Sequence, residues 1–140
     1  MEPLVLHYDI DGDNFARAGE ASSDMKRVLR RLGVDFELIR RASICMYEGE
    51  INMLIHANGG VADISLDTER LVITLQDNGP GIADIPLAMK EGYSTANQTV
   101  RDLGFGAGMG LPNMKRYADE MEVTSQLGVG TKVVMTINMA

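Results

Sequence analysis

Cysteine is nearly absent. The single Cys45 cannot close an internal disulfide, so a cross-linked secreted scaffold is excluded and a reducing cytoplasm is the expected setting. Its apolar helical neighbourhood marks Cys45 as core packing rather than as a nucleophile. Positive charge is also short: 13 Lys and Arg stand against 20 Asp and Glu, a net charge of −7. That balance argues against a nucleic-acid binder or a membrane-surface protein. It leaves nucleotides open, because a small phosphate site needs only local donors and a cation. No apolar run approaches the ~18 residues of a membrane span, and no cationic start leads into an apolar signal segment. A soluble, untargeted chain is expected. No internal repeat and no Pro- or Ser-rich linker divides it.

What is present fits one domain over residues 1–140, with 45% hydrophobic residues to supply a core. Ten methionines, among them Met25, Met46, Met53 and Met114, are expected to fill gaps in that core. Parity predicts a strand over 4–10, where Leu4, Leu6 and Tyr8 share a face. Residues 14–33 carry Phe15, Ala18, Met25, Val28, Leu29 and Leu32 at helical spacing, with Gly33 as terminator. The longest helix is predicted from the candidate N-cap Asp35 to Asn58-Gly59-Gly60. Strands over 61–66 and 70–76 follow, joined by a short Asp-Thr-Glu turn. Next come a turn at 77–83, a short helix over 84–92 and a polar, Gly-rich stretch over 93–108. A helix over 111–121 and a hairpin of strands 122–127 and 131–138 close the chain. Helices grouped in this way, rather than alternating with every strand, predict an α+β two-layer sandwich. Its sheet is expected to be mixed and mostly antiparallel, with the helices on one face.

Four stretches carry candidate chemistry. In "RLVITLQDNGPGI", Leu71, Ile73, Leu75 and Asp77 share one parity, so Asp77 emerges at the end of a buried face and needs donors. Gly79 and Gly81 beside it fit either an Asx turn or a ligand's approach to the backbone. Upstream, Glu48, Asn52 and His56 fall at i, i+4 and i+8 along one helix face, beside an apolar stripe of Ile44, Ile51 and Ile55. A glutamate against an apolar stripe has its pKa raised, which suits a general base. Asparagine offers the hard oxygen that Mg²⁺ accepts alongside nucleotide phosphates. His56 reads equally as a helix-end residue bonded to the backbone. In "GFGAGMGLPN", Gly104, Gly106, Gly108 and Gly110 alternate directly before a helix, a pattern that frees backbone N–H groups for an anion. It matches neither a Walker A loop nor the dinucleotide fingerprint. Arg101 nearby reads as a solvated arginine or as added positive charge for the phosphates. "GVGT" (128–131) reads as an ordinary hairpin turn, and Thr131 gains interest only if it closes on Asp77.

Taken in order, Glu48…Asn52…His56, Asp77-Asn78-Gly79-Pro80-Gly81, Gly106-Ala107-Gly108-Met109-Gly110-Leu111 and Gly128-Val129-Gly130-Thr131 resemble the N, G1, G2 and G3 boxes of the Bergerat-fold (GHKL) ATPases. The resemblance covers about residues 10–137. Within that superfamily the chain is most similar to the stand-alone anti-sigma-factor serine/threonine kinases of the switch-kinase branch, on the first box and on "GIADIPLAMKEGYSTA". The resemblance implies an ATP- and Mg²⁺-dependent kinase acting on a small STAS-type, anti-anti-sigma-type protein. It implies that Asp77 accepts the adenine amino group, with Thr131 nearby through water, while Gly79 and Gly81 admit the base. Asn52 would ligate Mg²⁺ and Glu48 would act as general base. Gly106, Gly108 and Gly110, followed by Leu111, would hold phosphates, and 84–107 would be a lid. A non-catalytic regulator that sequesters a sigma factor or acts on a phosphatase is the first alternative; a detached histidine-kinase-like ATPase domain is the second. Members of the family commonly form homodimers. Gly104 departs from the family pattern as an extra glycine ahead of the G2 box, and no sigma-binding surface is matched.

Overall fold

Apolar residues alternate along five segments, and each becomes a strand: β1 (Leu4–Asp11), β2 (Gly59–Leu66), β3 (Arg70–Gln76), β4 (Glu120–Gln126) and β5 (Gly130–Asn138). The computed structural model describes residues 3–12, 15–57, 59–90 and 110–139. The strands form one sheet in the order β1-β2-β3-β5-β4. Every pairing among the described residues is antiparallel, so the mixed component expected from sequence is not found in them. Period-two geometry turns Ala62, Ile64, Leu66, Leu71, Ile73, Leu75, Val133, Met135 and Ile137 to one buried face. Helices α1 (Glu20–Arg31), α2 (Phe36–His56) and α4 (Gly110–Tyr117) cover that face, with α2 between the other two; a single turn, α3, spans Ile85–Ala88. The expected two-layer α+β sandwich is what the chain forms.

Asp35 caps α2 as anticipated, its carboxylate accepting from Glu37 N at 3.2 Å. The buried face of α2 keeps only part of the expected stripe. Ile51 is buried with Ala42, Met46, Gly49 and Met53, whereas Ile44 and Ile55 are only half-buried. The cause lies at Gly49, where an added Cβ would come within 2.1 Å of Leu75 Cδ1. Lacking that atom, the helix settles onto β3 along the Gly49 face, which leaves Ile44 and Ile55 at the edge of the contact. Helix α2 also stops at His56, and Gly59 and Gly60, expected to end it, pair with Asp11 and Ile10 as the start of β2.

The helix predicted over 14–33 is broken. A 3₁₀ turn (Phe15–Arg17) precedes α1, and Gly19 between them takes φ +87, a conformation L side chains avoid. No side chain of the local sequence caps α1. Glu50 of α2 does so from across the interface, its carboxylate accepting from Gly19 N, Ala21 N and Ser22 N at 3.2, 3.2 and 3.1 Å. Three amides at a helix N-terminus supply both the donors and the dipole that a carboxylate only 2% exposed requires. At its far end α1 closes as expected, with Gly33 N donating to Arg30 O and Val34 N to Leu29 O.

Helix α4 ends at Tyr117, four residues short of the expected 121. Arg41 of α2 fixes that end: Nε donates to Tyr117 O at 2.9 Å and the guanidinium pairs with Asp119 at 3.0 Å. Asp119 N then donates to Thr136 O, and the chain enters β4 at Glu120. The β2–β3 turn is the short one predicted, held by Asp67 Oδ1 accepting from Glu69 N and Arg70 N.

Replacing Glu50 by alanine removes all three α1 bonds at once. Glu50→Ala is expected to lower stability by about 2–4 kcal/mol, read as the shift of the urea-unfolding midpoint at constant m-value.

Candidate functional site

The buried face of β3 runs out at Asp77, which is half-buried. Its Oδ1 accepts from Gly79 N at 2.9 Å, an Asx turn, and from Thr131 N at 3.1 Å. The main chain adds a third tie, Asp77 N to Thr131 O at 3.0 Å. Thr131 therefore closes on Asp77, which is the condition the sequence set for it. With Oδ1 occupied twice, Oδ2 holds no hydrogen bond among the described residues and stands as an acceptor at the end of β3.

Ser125 extends this corner. Its hydroxyl accepts from Ile82 N at 2.7 Å, contacts Thr131 Oγ1 at 2.9 Å and donates to Gly130 O at 3.2 Å. Gly128 N donates to Pro80 O at 2.9 Å. The 77–82 loop is thus stitched to the β4–β5 hairpin. The glycines of the loop have packing reasons of their own: a Cβ on Gly79 would lie 2.7 Å from Ala57, and one on Gly81 would lie 2.6 Å from Gln126 O. Gly79 brings the loop against the C-terminal end of α2.

Five residues back from Ala57, about 7.5 Å along the helix, stands Asn52, and Glu48 is one further turn away. Helix α4 begins opposite them. A Cβ built on Gly110 would sit 3.8 Å from Asn52 Oδ1 and 3.8 Å from Glu48 Oε2. Side chains from α2 and the N-terminus of α4 therefore converge on one point. The Asn52 amide makes no hydrogen bond among the described residues, which leaves Oδ1 available to a cation. Glu48 is half-buried and burial pushes its pKa up; one hydrogen bond, from Asn113 Nδ2 to Oε1 at 3.2 Å, opposes that.

Leu111 is buried under the first turn of α4. His56 is the last residue of α2, and burial lowers its pKa. Gly104, Gly106, Gly108, Arg101 and most of the expected lid lie outside the described residues. Of the helix predicted over 84–92, the described part is α3, capped by Asp84 accepting from Leu87 N at 3.0 Å. Sequence reasoning missed Asn113 and Ser125, and met Gly130 only as part of the hairpin turn and of the fourth box. Asn113 stands three residues beyond Gly110, so the spacing that singled out the glycines passes directly over it. A cleft of about 560 Å³ between β1 and α1, lined by Tyr8, Asp11, Arg17, Asp24 and Glu50, lies on the opposite flank of α2 and holds none of the expected site residues.

Residues 20–140 match the model for the histidine kinase-, DNA gyrase B-, and HSP90-like ATPases. The chain belongs to this ATPase family. Within it, the chain is 33% identical over 114 residues to the serine/threonine-protein kinase RsbT of Bacillus subtilis (strain 168), spanning 77% of this chain and 78% of that one. It is 30% identical over 130 residues to an anti-sigma F factor of Clostridium acetobutylicum, spanning 89% and 84%. The ATPase fold also agrees with solved structures. The RsbU and RsbW domains of a Mycobacterium tuberculosis protein superpose with a TM-score of 0.66 at 16% identity, over 96% of this chain and 32% of that one. This chain thus spans about a third of that neighbour. The mycobacterial sensor histidine kinase MprB superposes with a TM-score of 0.55 at 16% identity, over 96% and 97%. At such identity these neighbours speak for the fold alone.

Gly130 tests the corner directly. Its φ is +149, and a Cβ there would fall 2.1 Å from Asp77 O, a backbone atom with no room to yield. Gly130→Ala is expected to destabilise by about 2 kcal/mol and to disperse the Asp77 and Thr131 amide resonances in a heteronuclear NMR spectrum, leaving those of α1 in place.

Proposed function

We propose that this chain is an ATP- and Mg²⁺-dependent protein serine/threonine kinase that phosphorylates a small STAS-type regulatory protein in a bacterial, cytoplasmic signalling module. The observation that carries the reading is the meeting of Glu48, Asn52 and Gly110 at the seam between α2 and α4. Its support from outside the site is membership of an ATPase family and similarity to relatives named as a serine/threonine kinase and as anti-sigma F factors.

Each residue then takes a role fitted to its surroundings. Asp77 Oδ2 accepts the adenine amino group while Oδ1 keeps the loop folded, and Thr131 assists through water. Gly79 holds the loop against the end of α2 and Gly81 holds it against Gln126 at the end of β4, and together they admit the base. Amides at the start of α4, from Gly110 and Leu111, face the phosphates, with Gly106 and Gly108 assigned to the same task. Among the described residues no cluster of three or more His, Cys, Asp or Glu could hold a metal. Asn52 Oδ1, which makes no hydrogen bond among the described residues, would be the protein's ligand to Mg²⁺, with phosphates and water supplying the rest. When bound, Mg²⁺ neutralises charge on the phosphate oxygens. Glu48 takes the proton from the serine or threonine hydroxyl of the partner as that oxygen attacks the γ-phosphorus and ADP departs. Most of the remaining catalysis is positioning.

The anti-sigma F factor names among the relatives favour one alternative, a regulator that holds a sigma factor or activates a phosphatase without transferring phosphate. A homodimer is compatible with either. A detached histidine-kinase-like domain is the remaining rival. Incubation with labelled ATP and candidate STAS proteins separates them: acid-stable phosphoserine or phosphothreonine supports the kinase, binding without transfer supports the regulator, and acid-labile label supports histidine chemistry.

Asp77→Asn keeps an oxygen for Gly79 N and Thr131 N but turns a donor toward a donor. The variant is expected to stay folded and to lose ATP affinity at least tenfold by calorimetry; unchanged affinity would overturn the site. Transfer is expected to require ionised Glu48. Because burial raises its pKa, the rate should fall with decreasing pH through a value above the ordinary carboxylate range. That acid limb should disappear from the pH–kcat profile of Glu48→Gln, along with most of the rate.

A further inference from the structure

Glu48 has two carboxylate oxygens in different situations. Oε1 accepts from Asn113 Nδ2 at 3.2 Å, across 65 residues of sequence and in a part-buried setting. Oε2 faces the first residue of α4, 3.8 Å from the position a Cβ of Gly110 would take, with Asn52 Oδ1 at the same distance. One oxygen is tethered and the other is presented to the convergence point.

We propose that Asn113 is a positioning residue for Glu48: from α4, its amide fixes the carboxylate so that Oε2 is the oxygen offered to the reacting hydroxyl. This rests on the kinase reading above. An untethered glutamate samples several rotamers and must lose that freedom to react; one hydrogen bond from a rigid neighbour offsets part of that loss in advance. Rigidity is what α4 supplies. Arg41 holds its C-terminal end through Tyr117 O and Asp119, and Cys45 Sγ donates to Met114 O at 3.7 Å one residue beyond Asn113. Asn113 therefore sits on a short helix fastened to the same α2 that carries Glu48. The amide is also neutral. It orients the carboxylate without pairing it with a positive charge, which would compete with the proton the base has to accept.

A purely structural role, as a polar contact between two helices, makes a different forecast, and a double-mutant cycle separates the two. Asn113→Leu keeps the volume and removes the donor. Its expected effect is about a tenfold loss of kcat for phosphotransfer to the partner, with KM for ATP and the urea midpoint little changed. In the Glu48→Gln background the same substitution should change the residual single-turnover rate by less than twofold. The side-chain amide resonances of Asn113 should move on Glu48→Gln, which reports the contact whether or not transfer occurs. Equal losses in both backgrounds, a loss confined to KM, or unmoved resonances overturn the positioning role while leaving the kinase reading intact. A wild-type chain that binds ATP yet phosphorylates no STAS partner overturns the kinase reading, and the positioning role with it.

Discussion

A helix covered on three sides has almost no room for charge, and α2 nevertheless carries carboxylates on opposite flanks. Everything else in the molecule is arranged around how each is accommodated. Glu50, on the flank toward α1, is neutralised in effect by three backbone amides and becomes part of the scaffold. Glu48, on the flank toward α4, receives a single side-chain amide and stays half-buried. The same residue type on the same helix is tied into the scaffold by both oxygens in one place and by a single oxygen in the other. The difference lies in how many donors the neighbouring helix brings to it.

The second half of the site obeys a similar logic in the sheet. Asp77 terminates a buried face, and one of its oxygens is committed to the fold by amides from its own turn and from β5. A single atom thereby sets the register of a loop, the end of a strand pair and the direction of the free oxygen. Gly130 makes this closeness possible, since any side chain there would meet the Asp77 carbonyl.

Much of this was legible in the sequence, and what was not has a common cause. The convergence of Thr131 on Asp77 is implied only by the family resemblance, whereas the fold class, the five strands and the cap at Asp35 follow from periodicity and local chemistry. The break at Gly19 does not, because the carboxylate that compensates it arrives from Glu50, about thirty residues away. The early end of α4 depends on Arg41, 76 residues distant. The half-burial of Ile44 and Ile55 depends on Leu75 filling the notch at Gly49. Propensity and pattern describe a segment alone, and at each of these positions a partner from elsewhere decides the outcome.

The core itself has an unusual chemistry. Met25, Met46, Met114 and Met135 are wholly enclosed, beside branched aliphatic side chains. A buried thioether is beyond the reach of peroxide while the packing stays closed, and a single sulfoxide inside would place a polar oxygen where no donor waits. Oxidation of these four residues therefore tracks the fraction of time for which the helices are lifted from the sheet. The molecule carries an internal clock of its own opening, distributed over α1, α2, α4 and β5, so that the order in which the sulfoxides accumulate reads out which layer parts first.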